Sequence, residues 1–340
     1  MSQNVKEWAL RLGKFILAFG LVFWLISRGL LDLSLLGQLL QGEIVLVLLG
    51  LAGLNLILAN WRWTLLLRAR GFSLGFLKTF PLYLIGLFFN YALPGAIGGD
   101  VVKAYYLTKD HPRRKIEAVT TVAMDRILGL YAMVLLALVA ILVDGALVFG
   151  DGKMQWVALL ALSLFLGMTL FFILAFSRWL RDRPFVQVQV KRWPGGSTLL
   201  GLYESIHAYR EHGPVLLGTL GLSLLSQTVA VLFMWFVGQS LGYTEVSWIT
   251  YLFAVPTGFM LSALPISPAG VGVGQVAFLF LFNLHMGAPT DLGPAVITAF
   301  QIALFVWGLV GAGFYLMRKQ KPEESLSFGG YDQNHHFAQD

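Results

Sequence analysis

Long apolar runs alternate with short polar or Gly/Pro-rich breaks along almost the whole chain. Nine runs stand out: Phe15–Leu31, Ile44–Asn60, Thr79–Pro94, Ala118–Val143, Met154–Phe176, Pro214–Leu241, Val246–Leu264, Val271–His285 and Pro294–Met317. A helix that crosses a bilayer needs about 20 mainly apolar residues. Thr79–Pro94 and Val271–His285 are short for that, and Val246–Leu264 runs into a Pro/Gly cluster. The pattern predicts an all-α polytopic membrane protein. The basic start (Lys6, Arg11, Lys14) leads into the first run with no A-x-A-like site after it, so that run is expected to be a permanent span and not a cleaved signal.

Charge placement refines the topology. Of the 24 Lys and Arg, only Arg28, Arg126 and Lys153 lie outside five segments: the N-terminus, 61–78, 95–117, 177–213 and the tail from Arg318. Such residues mark cytoplasmic segments. Segments 61–78 and 95–117 are both basic, yet only Thr79–Pro94 separates them, so this run is expected to dip in and return, turning at Leu93–Asp100. Gly242–Glu245 and Gly287–Gly293 both lack Lys and Arg, so Val246–His285 is expected to enter and leave on the outer side, turning at Leu264–Gln275. The prediction is six crossings plus two re-entrant helical hairpins, with both termini cytoplasmic. Span, span, hairpin, span then occurs twice in opposite orientation, which is an inverted repeat. The turns share one echo, Ala92-Leu93-Pro94 and Ala263-Leu264-Pro265. The alternative is eight or nine plain transmembrane helices. The expected organisation is a single transmembrane domain over 1–317, with pseudo-repeats at about 10–143 and 154–317. A cytoplasmic linker at 177–213 carries an amphipathic stretch at Leu199–Arg210, and a polar tail follows at 318–340.

Composition agrees. The chain of 340 residues is 57% hydrophobic and 12% charged, with mean hydropathy +0.73. Soluble domains carry about 25% charged residues, so a soluble fold is excluded. Zero Cys excludes a disulfide framework, thiolate metal sites and a catalytic cysteine. The net charge of +6 is read as a topology determinant and not as a nucleic-acid footprint. Gly270, Gly272 and Gly274 do not have nucleotide-loop spacing, and no G-x-x-x-x-G-K-[ST] occurs, so no nucleotide or other cofactor is expected.

Ionisable groups at membrane depth are costly and mark pathways. Asp125 and Arg126 lie about seven residues, or ~10 Å, inside the fourth run. Asp100 and Lys103 follow the first turn and would share a helix face. The turn Asn90–Asp100, with Pro94, Gly95, Gly98 and Gly99, breaks a helix where only a buried or wet setting tolerates open backbone. Half-helices that end there direct their N-terminal dipoles at a ligand, which favours anions. The second turn, with Pro265, Ser267, Pro268, Gly270, Gly272 and Gln275, repeats that physics and adds a hydroxyl and an amide. Structural readings compete: Arg126 snorkelling while Asp125 pairs locally, and glycines that merely allow close packing. Arg62, within Trp61-Arg62-Trp63, reads first as the basic anchor of an aromatic belt that ends the second span, and second as a headgroup contact.

The stretch Asn90–Leu107, followed by Met124-Asp125-Arg126-Ile127-Leu128-Gly129-Leu130, resembles the lysylphosphatidylglycerol synthase transmembrane family, also called flippase-like domain proteins. Leu264–Gln275 resembles its second signature, and His207–Arg210 fits its pattern. The likeness covers about residues 10 to 318. It departs at Lys103, where Arg is common, and at Gln275, where an acid is expected. The resemblance implies a lipid translocator that moves a phospholipid or polyprenyl-type lipid between leaflets of the cell inner membrane. Its headgroup would sit in a mid-membrane polar cavity, with Arg126 and Lys103 at the phosphate. The partners expected are a membrane lipid and, alternatively, a lipid-modifying enzyme. The chain is expected to leave no room for the synthase domain of the best-known members. Two other functions stay open: a membrane-embedded transferase on a lipid-linked substrate, for which no His sits beside an acid on a span, and a non-transporting partner of a lipid-modifying enzyme.

Overall fold

The computed structural model describes residues 33–93, 98–143, 152–177, 192–193, 195–262 and 267–319, with positions 20, 23, 26 and 27 described singly. Most of the predicted first span, Pro94, Gly95 and Pro265, much of the 177–213 linker and the tail beyond residue 319 lie outside these. Among the described residues the regular structure is helical: α1 (Leu33–Gln38), α2 (Gly42–Ala69), α3 (Phe76–Ala92), α4 (Gly98–Asp110), α5 (Lys115–Val143), α6 (Gly152–Phe176), α7 (Gly196–His207), α8 (Gly213–Ser240), α9 (Trp248–Ser262), α10 (Val273–Met286) and α11 (Leu292–Lys319).

Among the described residues, six helical stretches are long and apolar enough to cross a membrane: Gly42–Ala69, Pro112–Val143, Gly152–Phe176, Gly196–Ser240, Pro268–Met286 and Leu292–Arg318. The protein is a multi-pass membrane protein. At 1.5 Å per residue the 28 residues of α2 reach about 42 Å, which exceeds a hydrocarbon core of about 30 Å. Helices α3, α4, α9 and α10 have 17, 13, 15 and 14 residues, or about 20–26 Å, and each falls short of that core. The stretch Pro268–Met286 reaches its length only by adding the kinked turn before α10.

The short helices pair as two hairpins that open at opposite ends of the molecule. At one end, Arg114 donates to the backbone oxygens of Arg70 and Gly71, and Phe72 meets His111 edge-on at 5.1 Å. The start of α3 and the end of α4 therefore lie together, and Arg318 joins them through two hydrogen bonds to Asp110. At the other end Thr250 on α9 lies 3.1 Å from His285 on α10, and Tyr243 hydrogen-bonds Asp291. The tips meet inside. The turn at Pro268–Gly270 packs on α3, and the Tyr91 hydroxyl donates to the backbone oxygen of Gln301 at 2.9 Å.

The two halves are related by an internal two-fold. α2 packs on α8; α3 packs on α11 as α9 packs on α5; α4 contacts α5 as α10 contacts α11. Exchanging the halves maps this contact pattern onto itself. Asn55 donates to Ser226, 171 residues away, which is also the offset between the Ala-Leu-Pro echoes. A residue that touches its own repeat equivalent sits on the symmetry axis. Along α2, residues 55, 62 and 66 meet residues 226, 223 and 209 in turn, so α2 and α8 run antiparallel. The two-fold that exchanges them is therefore perpendicular to both, and the repeat is inverted.

Outside this frame α6 is apolar all round, with almost none of its apolar stretch covered by protein, as a lipid-facing helix should be. The predicted amphipathic stretch is α7. Its Gly201 fits against the Ile116 side chain, and the His207 ring nitrogen lies 2.8 Å from the Ala175 oxygen.

Candidate functional site

The site is assembled from α2, α4 and α5. Close approach of the hairpin legs comes first: a Cβ on Gly99 would lie 2.0 Å from the Gly86 oxygen, so only glycine lets α4 lie this close against α3. The Asn90 side chain accepts the Gly99 amide at 2.8 Å and caps the first turn of α4. Asp100 lies in that first turn, where the helix dipole favours an acid. Lys103, one turn on, places its ammonium 2.8 Å from Asp100 Oδ1, 4.7 Å from the Tyr83 ring centroid and 5.3 Å from that of Trp63.

α2 and α5 supply the rest. Arg62 Nε donates to Asp125 Oδ1 at 2.6 Å, and another guanidinium nitrogen donates to Ser223 at 3.1 Å. The other Asp125 oxygen is 3.7 Å from Lys103. Arg126 donates to Asp100 Oδ2 at 2.8 Å. The five groups form one chain of alternating charge: Arg62, Asp125, Lys103, Asp100, Arg126. Four of them are almost wholly enclosed, whereas the Arg126 side chain is 40% exposed. Gly129 leaves the guanidinium its place, since a Cβ there would lie 3.0 Å from Arg62. Isolated charges would not survive such burial, and mutual pairing makes it tolerable.

This chain of charges borders a cavity of about 390 Å³, enough for on the order of ten waters or a headgroup. Its other wall comes mainly from the second half: Ser226, Gln227, Phe259, Ser262, Ala269, Phe300 and Gln301, joined by Asn55. Behind that wall Gln275 accepts the Gly272 amide at 2.7 Å and donates to Thr298 at 3.1 Å and to Gln301 at 2.7 Å; Gln301 in turn donates to the Ala269 oxygen at 3.3 Å. This amide ladder holds a turn whose backbone is left-handed at Ala269, Gly270 and Gly272.

Of the residues singled out from the sequence, Asn90, Asp100, Lys103, Asp125, Arg126 and Arg62 border the cavity. Arg62 does not end a span. α2 continues to Ala69, and Arg62 is buried because Asp125, 63 residues on, neutralises it. For the same reason Asp125 is not locally paired. Gly98 and Gly99 serve hairpin packing. Ser267 is fully buried with no hydrogen-bond partner among the described residues. Pro268, Gly270, Gly272 and Gln275 build the second turn behind the cavity wall. The amides of Gly99 and Gly272 are capped by side chains, so neither of these two donors is open to a ligand. Sequence reasoning passed over Asn55, Tyr83, Tyr91, Ser223, Ser226, Gln227 and Gln301. The signal available was polar residues at helical spacing inside apolar runs: Ser223, Ser226 and Gln227 share one face of α8.

The family model described as the lysylphosphatidylglycerol synthase TM region matches residues 11–313. A UPF0104 membrane protein from Methanocaldococcus jannaschii is 36% identical over 73 residues, which is 21% of this chain and 22% of that protein's length. No solved structure matches the chain. The family match runs through both hairpins and every charged residue of the cavity, and the chain belongs to the lysylphosphatidylglycerol synthase transmembrane-region family.

Proposed function

We propose that this protein moves a lipid between the leaflets of the cell inner membrane, with the headgroup passing through the cavity while the acyl chains stay in the bilayer. The observation that carries this reading is the chain of five alternating charges, four of them buried, beside a cavity where two broken helices meet. Stability alone does not call for such a group, because a well-packed apolar cluster of similar volume serves equally well. A polar chamber inside an apolar bundle lowers the cost of taking a charged headgroup across hydrocarbon. Inverted repeats with discontinuous helices are a recurrent architecture for that task. Arg126 and Lys103 are placed to meet a phosphate, and Asp100 and Asp125 hold those cations in position. The end that gathers Arg70, Arg114 and Arg318 is the cytoplasmic end by the positive-inside rule.

The test is reconstitution in liposomes with labelled phospholipids. Dithionite bleaching of outer-leaflet label should reveal exchange well above that of protein-free vesicles. Arg126→Gln should slow that exchange at least tenfold while the protein stays folded. Exchange no faster than in empty vesicles, for every lipid tried, would overturn the reading. A phenotype indifferent to both Asp125→Asn and Arg126→Gln in cells would instead favour the non-transporting partner role.

A further inference from the structure

The charge inventory of the cavity carries information about the headgroup. Among the described residues, its charged side chains are Arg62, Lys103, Arg126, Asp100 and Asp125. Every carboxylate oxygen already faces a cation. Asp100 Oδ1 has Lys103 at 2.8 Å and Oδ2 has Arg126 at 2.8 Å; Asp125 Oδ1 has Arg62 at 2.6 Å and Oδ2 has Lys103 at 3.7 Å. Three cations against two carboxylates leave one positive charge in excess. An ammonium headgroup entering this chamber would meet no uncommitted acid and a net repulsion. An anion would meet an attraction that a desolvated setting strengthens.

The opposite wall gives the second half of the argument, and the internal repeat makes it legible. Asp100 and Arg126 are 26 residues apart and hydrogen-bonded; Gln275 and Gln301 are also 26 apart and hydrogen-bonded. One offset carries the first pair onto the second. The same offset places Phe278 at the equivalent of Lys103 and Phe300 at the equivalent of Asp125. The 171-residue offset of the preceding helices places Phe233 at the equivalent of Arg62. The ion pair of one half is an aromatic pair in the other, with Phe233 and Phe300 rings 5.1 Å apart. The second half therefore repeats the geometry with every charge removed. What it offers to the cavity is amide and hydroxyl groups, with Asn55 opposite: Ser226, Gln227, Ser262 and Gln301. Such groups bond hydroxyls well and give an ammonium no compensating charge.

We infer that the headgroup is a singly anionic phosphodiester that carries an uncharged, hydroxylated substituent, with its phosphate at the Arg62–Lys103–Arg126 side and its hydroxyls at the amide wall. This rests on the transport reading and narrows it. A phosphoglycerol lipid and a polyprenyl phosphosugar share this chemistry. A zwitterionic ethanolamine lipid and a cationic lysyl-ester lipid do not.

Proteoliposomes with labelled lipids test it. The headgroups are phosphoglycerol, phosphoethanolamine, lysyl-phosphoglycerol and a polyprenyl phosphohexose. We expect the phosphoglycerol lipid, the phosphohexose lipid or both to cross at least tenfold faster than the other two, and the faster of them identifies the source. A zwitterionic or lysyl lipid that crosses as fast as both overturns the inference and leaves the transport reading standing. If none crosses, both fall together. A gain-of-function arm avoids dependence on damaged protein. Gln227→Glu adds a carboxylate to the neutral wall, and Gln227→Ala removes the amide without adding charge. The ratio of lysyl-lipid to phosphoglycerol-lipid rates should rise at least tenfold in the first variant relative to the second. Equal ratios in the two variants overturn the inference.

Discussion

At the scale of single residues, burial decides what each charge does. Arg62 and Asp125 are 8% and 5% exposed at the side chain and bonded at 2.6 Å. Removing one partner strands the other, at a cost of about 3–5 kcal/mol. The repeat supplies the comparison: the equivalent positions of the second half hold an aromatic pair, so an apolar pair fits this architecture. We therefore expect Asp125→Leu to be strongly destabilised, and Arg62→Leu combined with Asp125→Leu to recover most of that loss while lipid exchange stays abolished. Thermal unfolding in detergent and exchange in liposomes measure the two effects separately. A double variant that exchanges lipid normally would show the pair to be structural only. The sequence alone singled out Asp100, Lys103, Asp125 and Arg126 because ionisable groups at membrane depth are costly, even though snorkelling and local pairing offered a structural account. It offered Arg62 only second as a headgroup contact, because the residue stands beside two tryptophans like an interfacial anchor. What neutralises it is 63 residues away, and no local pattern reports a partner at that distance.

At the scale of elements, the first hairpin depends on backbone contact that only glycine allows. A Cβ at position 99 would meet the Gly86 oxygen at 2.0 Å and the Asn90 side chain at 2.7 Å. Neither neighbour can yield easily, because the first is helix backbone and the second caps α4. Gly99→Ala should push α4 away from α3, with an overpacking cost of about 1–3 kcal/mol, and displace Asp100 and Lys103 from their partners. Gly313→Ala on α11 meets nothing within 4 Å and serves as the control. We expect a lower unfolding temperature and slowed exchange for Gly99→Ala, and neither for Gly313→Ala. Wild-type behaviour of both would show that the hairpin legs are looser than the geometry requires. The hairpins themselves were legible from charge placement, since two basic segments on either side of one short run leave little choice. Where α2 ends was not legible, because Trp and Arg mark a membrane boundary and a buried ion pair equally well.

At the scale of the whole molecule, the repeat is an equality of contacts that no three-residue echo could establish. It also has a broken symmetry. On α11, Gly308 and Gly311 let α3 approach backbone to backbone; a Cβ on Gly311 would lie 2.0 Å from the Leu84 oxygen, and one on Gly308 3.5 Å from the Phe88 Cα. The offset that joins Arg126 to Gln301 puts Met133 and Leu136 at the equivalent places on α5, and Met133 borders the cavity together with Phe259 of α9. The seam between α3 and α11 is thus closed by glycines, whereas its counterpart between α5 and α9 carries Met133 and Leu136 at those places. On the proposed transport reading, alternating access would exchange the conformations of the two halves, and the closed seam would open as the other shuts. The absence of native Cys makes this testable by a cross-link. Phe88→Cys with Gly308→Cys puts one cysteine on each side of the closed seam, where a Cβ on residue 308 would lie 3.5 Å from the Phe88 Cα. Oxidation should stop lipid exchange, and a reductant should restore it in the same vesicles. Either single variant, oxidised alike, should exchange lipid at its reduced rate. Exchange that continues undiminished in the cross-linked protein would mean that the lipid follows a fixed groove and that the two halves need not move.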